Sequence, residues 1–147
     1  MVYKEIYGDL FSTDENFYLA HCISADFAMG KGIVIEFNKR FNMKKILQKK
    51  YPDYLKKWLM SKSEAGCILE GRVFNLITKT YYWNKPTNQT LAAALVEMKN
   101  IALENNIKKI AMPLIGCGLD NLSWPTVKSI IQKTFQDTDL EIVVYKK

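Results

Sequence analysis

The stretch Ala111 to Leu122, AMPLIGCGLDNL, restricts what this chain can fold into more than any other. An apolar run from Ile110 to Ile115 stops at Gly116-Cys117-Gly118. An acid, Asp120, follows at once, and Ser123-Trp124-Pro125 signals the start of a helix. Strand, glycine turn, acid and helix in that order leave backbone amides free at the carboxyl end of a strand. That is where α/β proteins bind their ligands.

The rest of the chain supplies elements to match. Val2 to Tyr7 alternates apolar and polar residues and reads as a strand ending at Gly8-Asp9-Leu10-Phe11, before a polar turn at Ser12 to Asn16. Phe17 to Ile23 is nearly continuous apolar sequence, as expected of a strand covered on both faces. Ser24-Ala25-Asp26 leads to a second glycine turn, Met29-Gly30-Lys31-Gly32, and to an amphipathic helix from Ile33 to Phe41. Helices over Met43 to Lys50 and Tyr54 to Met60 follow, separated by Pro52. Gly66 to Leu69 and Arg72 to Thr78 read as two short strands joined at Glu70-Gly71, with a polar and aromatic loop from Thr80 to Lys85 beyond them. Pro86-Thr87 opens a helix with Leu91, Ala94, Leu95, Met98, Ile101 and Ala102 on one face, ending at Asn105-Asn106. Ile107 to Ile115 is expected to be the strand entering the glycine turn. Ser123 is expected to cap a last helix, and Leu140 to Tyr145 to form a final strand. Strands alternating with helices predict an α/β layered domain with a largely parallel central sheet.

Composition narrows the class. A chain of 147 residues with 48% hydrophobic and 24% charged residues suits one domain, residues 1–147, with a real core. No apolar run approaches a membrane span or forms a signal peptide, so no membrane association is expected. Three widely spaced cysteines (Cys22, Cys67, Cys117) argue against a disulfide framework and point to a reducing, cytoplasmic compartment, or the nucleus in a eukaryotic cell. One histidine and no CxxC or HxxxH spacing make a metal site improbable, and no cofactor is expected. The net charge of +6 favours anionic partners. Nine cations crowd between Lys39 and Lys62, interleaved with Phe41, Tyr51, Tyr54 and Trp58. They form either a solvated helical face with its aromatics turned inward or a basic rim with aromatics free to stack.

Several residues carry candidate chemistry. If the strands before the two glycine turns are neighbours, the two sets of amides can clasp a diphosphate from opposite sides; neither turn fits a dinucleotide fingerprint or a P-loop. Asp9, beside Leu10, is either a solvated turn acid or an acceptor for an adenine amino group. Lys79 ends a strand; it is either a solvated lysine or an amine able to attack a sugar carbonyl. Asp120 is either an acid approaching a helix or a general acid or base. Ser24 closes a turn or bonds a ligand, and His21, inside an apolar strand, reads as structural. Cys117 has no histidine near it in sequence and reads as a small residue in a turn rather than a nucleophile.

Five segments in fixed order then identify a resemblance: GDLF at Gly8 to Phe11, AHCIS at Ala20 to Ser24, MGKGI at Met29 to Ile33, LITK at Leu76 to Lys79, and PLIGCGLD at Pro113 to Asp120. Over essentially its whole length the chain resembles macrodomains. Within them it looks most like the terminal ADP-ribose protein glycohydrolases and the related DNA-directed antitoxin macrodomains. Other hydrolase branches carry an asparagine-rich motif where this chain has AHCIS. The resemblance implies a macrodomain-like three-layer α/β/α sandwich with a mixed, largely parallel sheet that binds ADP-ribose. Asp9 and Leu10 would meet the adenine. Ser24 with Met29, Gly30, Lys31, Gly32 and Ile33 would take one side of the diphosphate and the nearby ribose. Leu114, Ile115, Gly116, Cys117, Gly118 and Leu119 would take the other. Lys79 would attack the anomeric carbon of the distal ribose, and Asp120 would handle the protons and release the adduct. Lys31 stands where some relatives have a small residue, and Leu114 where some have arginine.

The resulting expectation is a monomeric hydrolase that removes mono-ADP-ribose through a covalent lysine intermediate. Its partners would be ADP-ribose and ADP-ribosylated protein or DNA, the acceptor being a carboxylate, an acetyl ester or a nucleobase. Two rivals are a non-catalytic ADP-ribose reader and a nucleic-acid-binding protein acting through Lys39 to Lys62.

Overall fold

A computed structural model describes residues 1–147. Six strands form one sheet: β1 (Val2–Tyr7), β2 (Tyr18–Ser24), β3 (Gly66–Glu70), β4 (Val73–Lys79), β5 (Lys109–Met112) and β6 (Glu141–Lys146). Their spatial order is β1-β6-β5-β2-β4-β3. All neighbours run parallel except the β3–β4 hairpin, whose link is too short for a crossover. Five α-helices connect them: α1 (Val34–Phe41), α2 (Met43–Lys50), α3 (Tyr54–Met60), α4 (Asn88–Glu104) and α5 (Trp124–Phe135).

The sheet divides two cores, because alternate residues of each strand face opposite sides. Ala20, Phe74, Leu76, Ile110 and Met112 pack with Leu91, Leu95 and Met98 of α4 and Val127, Ile131 and Phe135 of α5. Leu19, Ile23, Val73, Ile77 and Ala111 pack against Leu10, Phe37 of α1, Met43 and Leu47 of α2, and Trp58 of α3. Two helical layers around a mixed sheet make the α/β/α sandwich that the resemblance to macrodomains implies. The long α4 is started by a reciprocal cap, in which Thr87 Oγ1 accepts from the Thr90 amide and Thr90 Oγ1 from the Thr87 amide.

Two expectations need correction. The strand read as Ile107 to Ile115 is only Lys109–Met112. Pro113 has no amide to give a ladder, and beyond it the backbone folds on itself, with Ile115 donating to the Pro113 carbonyl and Cys117 to that of Leu114. Leu114 and Ile115 therefore belong to the loop. Ser123 stands at the start of α5, but its side chain makes no capping hydrogen bond. The shortened β5 has a consequence for the site. β5 pairs with β2 only at Tyr18–Ile110 and Leu19–Ala111, whereas β2 runs on beside β4 to Ser24. The ladder between the two strands stops short of their carboxyl ends, where α/β sheets open a crevice.

Candidate active site

The connection from β5 leads to β6 on one side of the sheet, and the connection from β2 leads through α1, α2 and α3 to β3 on the other. The cleft thus lies at a topological switch point, where loops diverge and leave a crevice above the strand ends. Both glycine turns open onto it, and they touch each other. A Cβ built on Gly32 would lie 3.3 Å from Leu119 Cδ1. Gly32 has φ +75° and Gly116 φ +72°, conformations that any side chain would strain. A Cβ at Gly116 would also come within 3.0 Å of Leu122 Cδ1.

The turns are rich in unused donors. The amides of Gly30, Lys31, Gly32, Gly118, Leu119 and Asp120 donate to no protein acceptor. Helix α1 begins two residues after Gly32, with Ile33 at its N-cap, and no side chain caps it. Free amides and the positive end of a helix together make a cradle for an anion. Met29 and Ile115 are buried, and Ile33, Leu114 and Cys117 half-buried, so these residues anchor the turns from beneath. Gly30, Lys31, Gly118 and Leu119 are exposed.

Lys79, the last residue of β4, reaches Asp120 just beyond the second turn, with Nζ donating to Oδ1 at 2.7 Å. Both side chains are about six-sevenths buried, at 14% and 15% exposure. Cys22 lies beneath the same turn, and burial pushes its thiol up to about 12. Desolvation raises the Cys117 thiol as well. Neither sulfur is therefore a ready nucleophile near neutral pH. Among the polar groups here, the lysine and the aspartate are the pair suited to covalent and proton-transfer chemistry.

The other expected residues lie along the same edge of the sheet. Asp9, at the end of β1, is exposed, and its Oδ1 accepts from the Phe11 amide, capping a short 3-10 turn. Leu10 is buried in the core. Ser24 is buried, and its hydroxyl donates to Asp26. His21 is fully buried, with Nε2 against Asn75 Oδ1 at 2.6 Å and its ring stacked on Phe37. The aromatics of the basic segment turn inward: Trp58 is buried and Phe41, Tyr51 and Tyr54 pack on the α1–α3 core. They are not available for stacking.

Two functional neighbours escaped the sequence reading. Asp26 collects the Ser24 hydroxyl and the amides of Ala28 and Tyr82, tying the loop after β2 to the loop after β4. An aspartate accepting from the amide two residues on is a recognisable turn signal; its bond to Tyr82 is not. Lys85 donates from Nζ to the carbonyl of Leu119 and holds the second glycine turn against the same loop.

Comparison with known proteins bears on the family and the fold. The family model described as Macro domain matches residues 21–131. The human protein named ADP-ribose glycohydrolase OARD1 is 39% identical over 142 residues, covering 94% of this chain and 87% of the relative. The DNA ADP-ribosyl glycohydrolase of Mycobacterium tuberculosis is 26% identical over 149 residues, and the match spans 40% of that longer protein. The macrodomain of Thermus aquaticus DarG superposes with a TM-score of 0.77 at 22% identity, over 99% of both chains. The switch-point cleft, its paired glycine turns and these likenesses lead to one conclusion: the chain belongs to the macrodomain family.

Proposed function

We propose that this protein is an ADP-ribosyl glycohydrolase that frees mono-ADP-ribose from a modified acceptor through a covalent lysine intermediate. The carrying observation is the Lys79–Asp120 pair, 2.7 Å apart, at one end of a cleft cradled by two glycine turns. The names of the human and mycobacterial relatives support a hydrolase acting on ADP-ribose linkages.

The order of the strand ends supports a long ligand laid across them. Asp9 follows β1, Leu114 to Asp120 follow β5, Ser24 ends β2 with Gly30 to Gly32 beyond it, and Lys79 ends β4. β1 and β4 are four strand spacings apart, roughly 19 Å at about 4.8 Å each. Adenine at the Asp9 end, diphosphate between the glycine turns and distal ribose at Lys79 fits that sequence of groups. The free amides offset the two phosphate charges.

The chemistry then runs as follows. Asp120 takes a proton from the Lys79 ammonium as the bound ligand displaces water. The amine attacks the anomeric carbon, the bond from that carbon to the acceptor breaks, and the acceptor departs with the bonding pair and, where it needs one, the proton from Asp120. Ring opening gives a protonated Schiff base. Water activated by Asp120 adds to it, and collapse returns the amine and ADP-ribose. The net reaction consumes one water. A monomer in a reducing, cytoplasmic compartment completes the proposal, which suits three free thiols.

The test is a panel of glutamate-, serine-, acetyl- and nucleobase-linked ADP-ribose, assayed with wild type and Lys79→Ala. Borohydride should trap an ADP-ribose adduct on Lys79 in the wild type. Full turnover by the variant overturns the lysine mechanism; tight ADP-ribose binding without turnover on any linkage returns the reader hypothesis.

A further inference from the structure

The loop that leaves Lys79 carries an aromatic cluster that the proposed reaction does not use. Tyr81 and Trp83 stack face to face, with ring centroids 4.6 Å apart and planes 2° from parallel. Tyr82 meets Trp83 edge-on at 5.0 Å. Yet Tyr82 is 58% and Trp83 63% exposed, while the aromatics of α1–α3 are packed inward. Large aromatics left in solvent, where the same chain buries others, mark a binding surface.

The loop is also held rigid. Tyr82 donates its amide to Asp26, Tyr81 its amide to Asn84 Oδ1, and Asn84 its amide to the Tyr81 carbonyl. Trp58 Nε1 donates to Thr80 Oγ1 at 2.9 Å, which fixes the loop to α3. Lys85 fixes its other end to Leu119, itself 59% exposed and adjacent to Asp120. The exposed rings therefore sit three and four residues beyond Lys79, on a preset loop tied at its far end to Leu119, the neighbour of Asp120.

Charge identifies the occupant. The helix joined to this loop belongs to the segment from Lys39 to Lys62, which holds nine cations and a single acid, Asp53. Lys56, Lys57 and Lys62 are exposed and pair with no carboxylate. A cationic helix next to exposed, preorganised rings has the two features that hold single-stranded nucleic acid: phosphates on the lysines and bases on the rings.

We propose that Tyr82 and Trp83 are specificity-determining residues that stack a base of a single-stranded nucleic-acid acceptor beside the scissile bond, with Lys56, Lys57 and Lys62 tracking its phosphates. The inference rests on the glycohydrolase reading for its reaction but has its own binding readout. Stacking on one ring contributes enough to change affinity between about fivefold and a hundredfold.

The experiment has two arms. In the first, an unmodified, fluorescein-labelled oligothymidylate is titrated with wild type, Trp83→Ala, Trp83→Phe and Lys79→Ala, with thermal melts of each. Binding should weaken between about fivefold and a hundredfold in Trp83→Ala at an unchanged melting temperature, recover mostly in Trp83→Phe, and persist in Lys79→Ala. In the second, kcat/KM is measured on an ADP-ribosylated oligonucleotide and on a glutamate-linked ADP-ribosyl peptide. The preference for the oligonucleotide should fall in Trp83→Ala by a similar factor, through KM. Absence of oligonucleotide binding in the wild type, equal binding by Trp83→Ala, or an equal loss on both substrates overturns the proposal. Loss of turnover on both substrates in the wild type, with stacking-dependent binding intact, would overturn the glycohydrolase reading and leave the platform standing.

Discussion

His21 and Asn75 face each other across β2 and β4, and four residues further along β4, roughly 13 Å, Lys79 reaches Asp120. Both pairs are polar, close and enclosed by hydrophobic neighbours. Their chemistry differs because of depth. The first pair is 0% exposed and neutral. His21 Nε2–H donates to Asn75 Oδ1, and Asn75 Nδ2 donates in turn to the Ile68 carbonyl. Burial lowers the imidazole to about 4, so it carries no charge near pH 7. The second pair, a 2.7 Å salt bridge, sits at a strand end, where the loops diverge. One pair specifies the register of two strands; the other is available to a ligand. Position along a strand, rather than residue type, separates them.

The largest expected effect breaks the cleft pair. Lys79→Ala should lower turnover on the preferred linkage by on the order of 10⁴-fold or more, because no other nucleophile is in place, while its melting temperature shifts little. Single-turnover assays and melts measure the two quantities. Asp120→Asn should cost about 10²–10³-fold by removing the proton carrier. If Asp120 also resolves the adduct, intact-mass analysis should show the covalent species accumulating in this variant; its absence would confine Asp120 to the first step.

The buried pair answers to pH instead. The native imidazole titrates near 4 and the unfolded one near 6.5. Between those values the unfolded chain holds a proton that the native protein does not. Stability is therefore full above about pH 6.5 and declines as pH falls towards 4, by on the order of 3 kcal/mol. Urea titrations at several pH values should show this decline, and the double variant His21→Leu/Asn75→Leu should flatten it. A profile unchanged in the double variant assigns the titration to other groups.

The smallest effect sharpens how the cleft is built. Gly116→Ala meets both a positive φ and Leu122 at 3.0 Å, so it should lose about 1–2 kcal/mol of stability and weaken ADP-ribose binding. Gly118→Ala, two residues away, meets nothing within 4 Å and should stay within about 0.5 kcal/mol in stability. Calorimetry with ADP-ribose compares the two; similar losses would show that the turn is held by something other than the Gly116 conformation.

Much of this was legible in the sequence because it is local. Hydrophobic period and turn residues place β1 at Val2–Tyr7, α2 at Met43–Lys50 and α3 at Tyr54–Met60. The motif order that resembles macrodomains names Lys79 and Asp120 as a pair before any geometry is known. The readings that changed depend on partners distant in sequence. Pro113 ends β5 early, and how far β5 is paired is decided by β2, some ninety positions away in the chain. The aromatics among the lysines could face either way until the core behind α1–α3 claimed them.

By itself, then, the sequence determined the elements, the two glycine turns and the chemical types waiting at the strand ends, since backbone conformation and apolar period act over a few residues. Only the tertiary structure decided which ends meet. Lys79 and Asp120 are 41 residues apart, Lys85 and Leu119 are 34, and Asp26 and Tyr82 are 56. Those bonds exist because the sheet order sets β2 between β5 and β4, and burying two helical layers on its faces fixes that order.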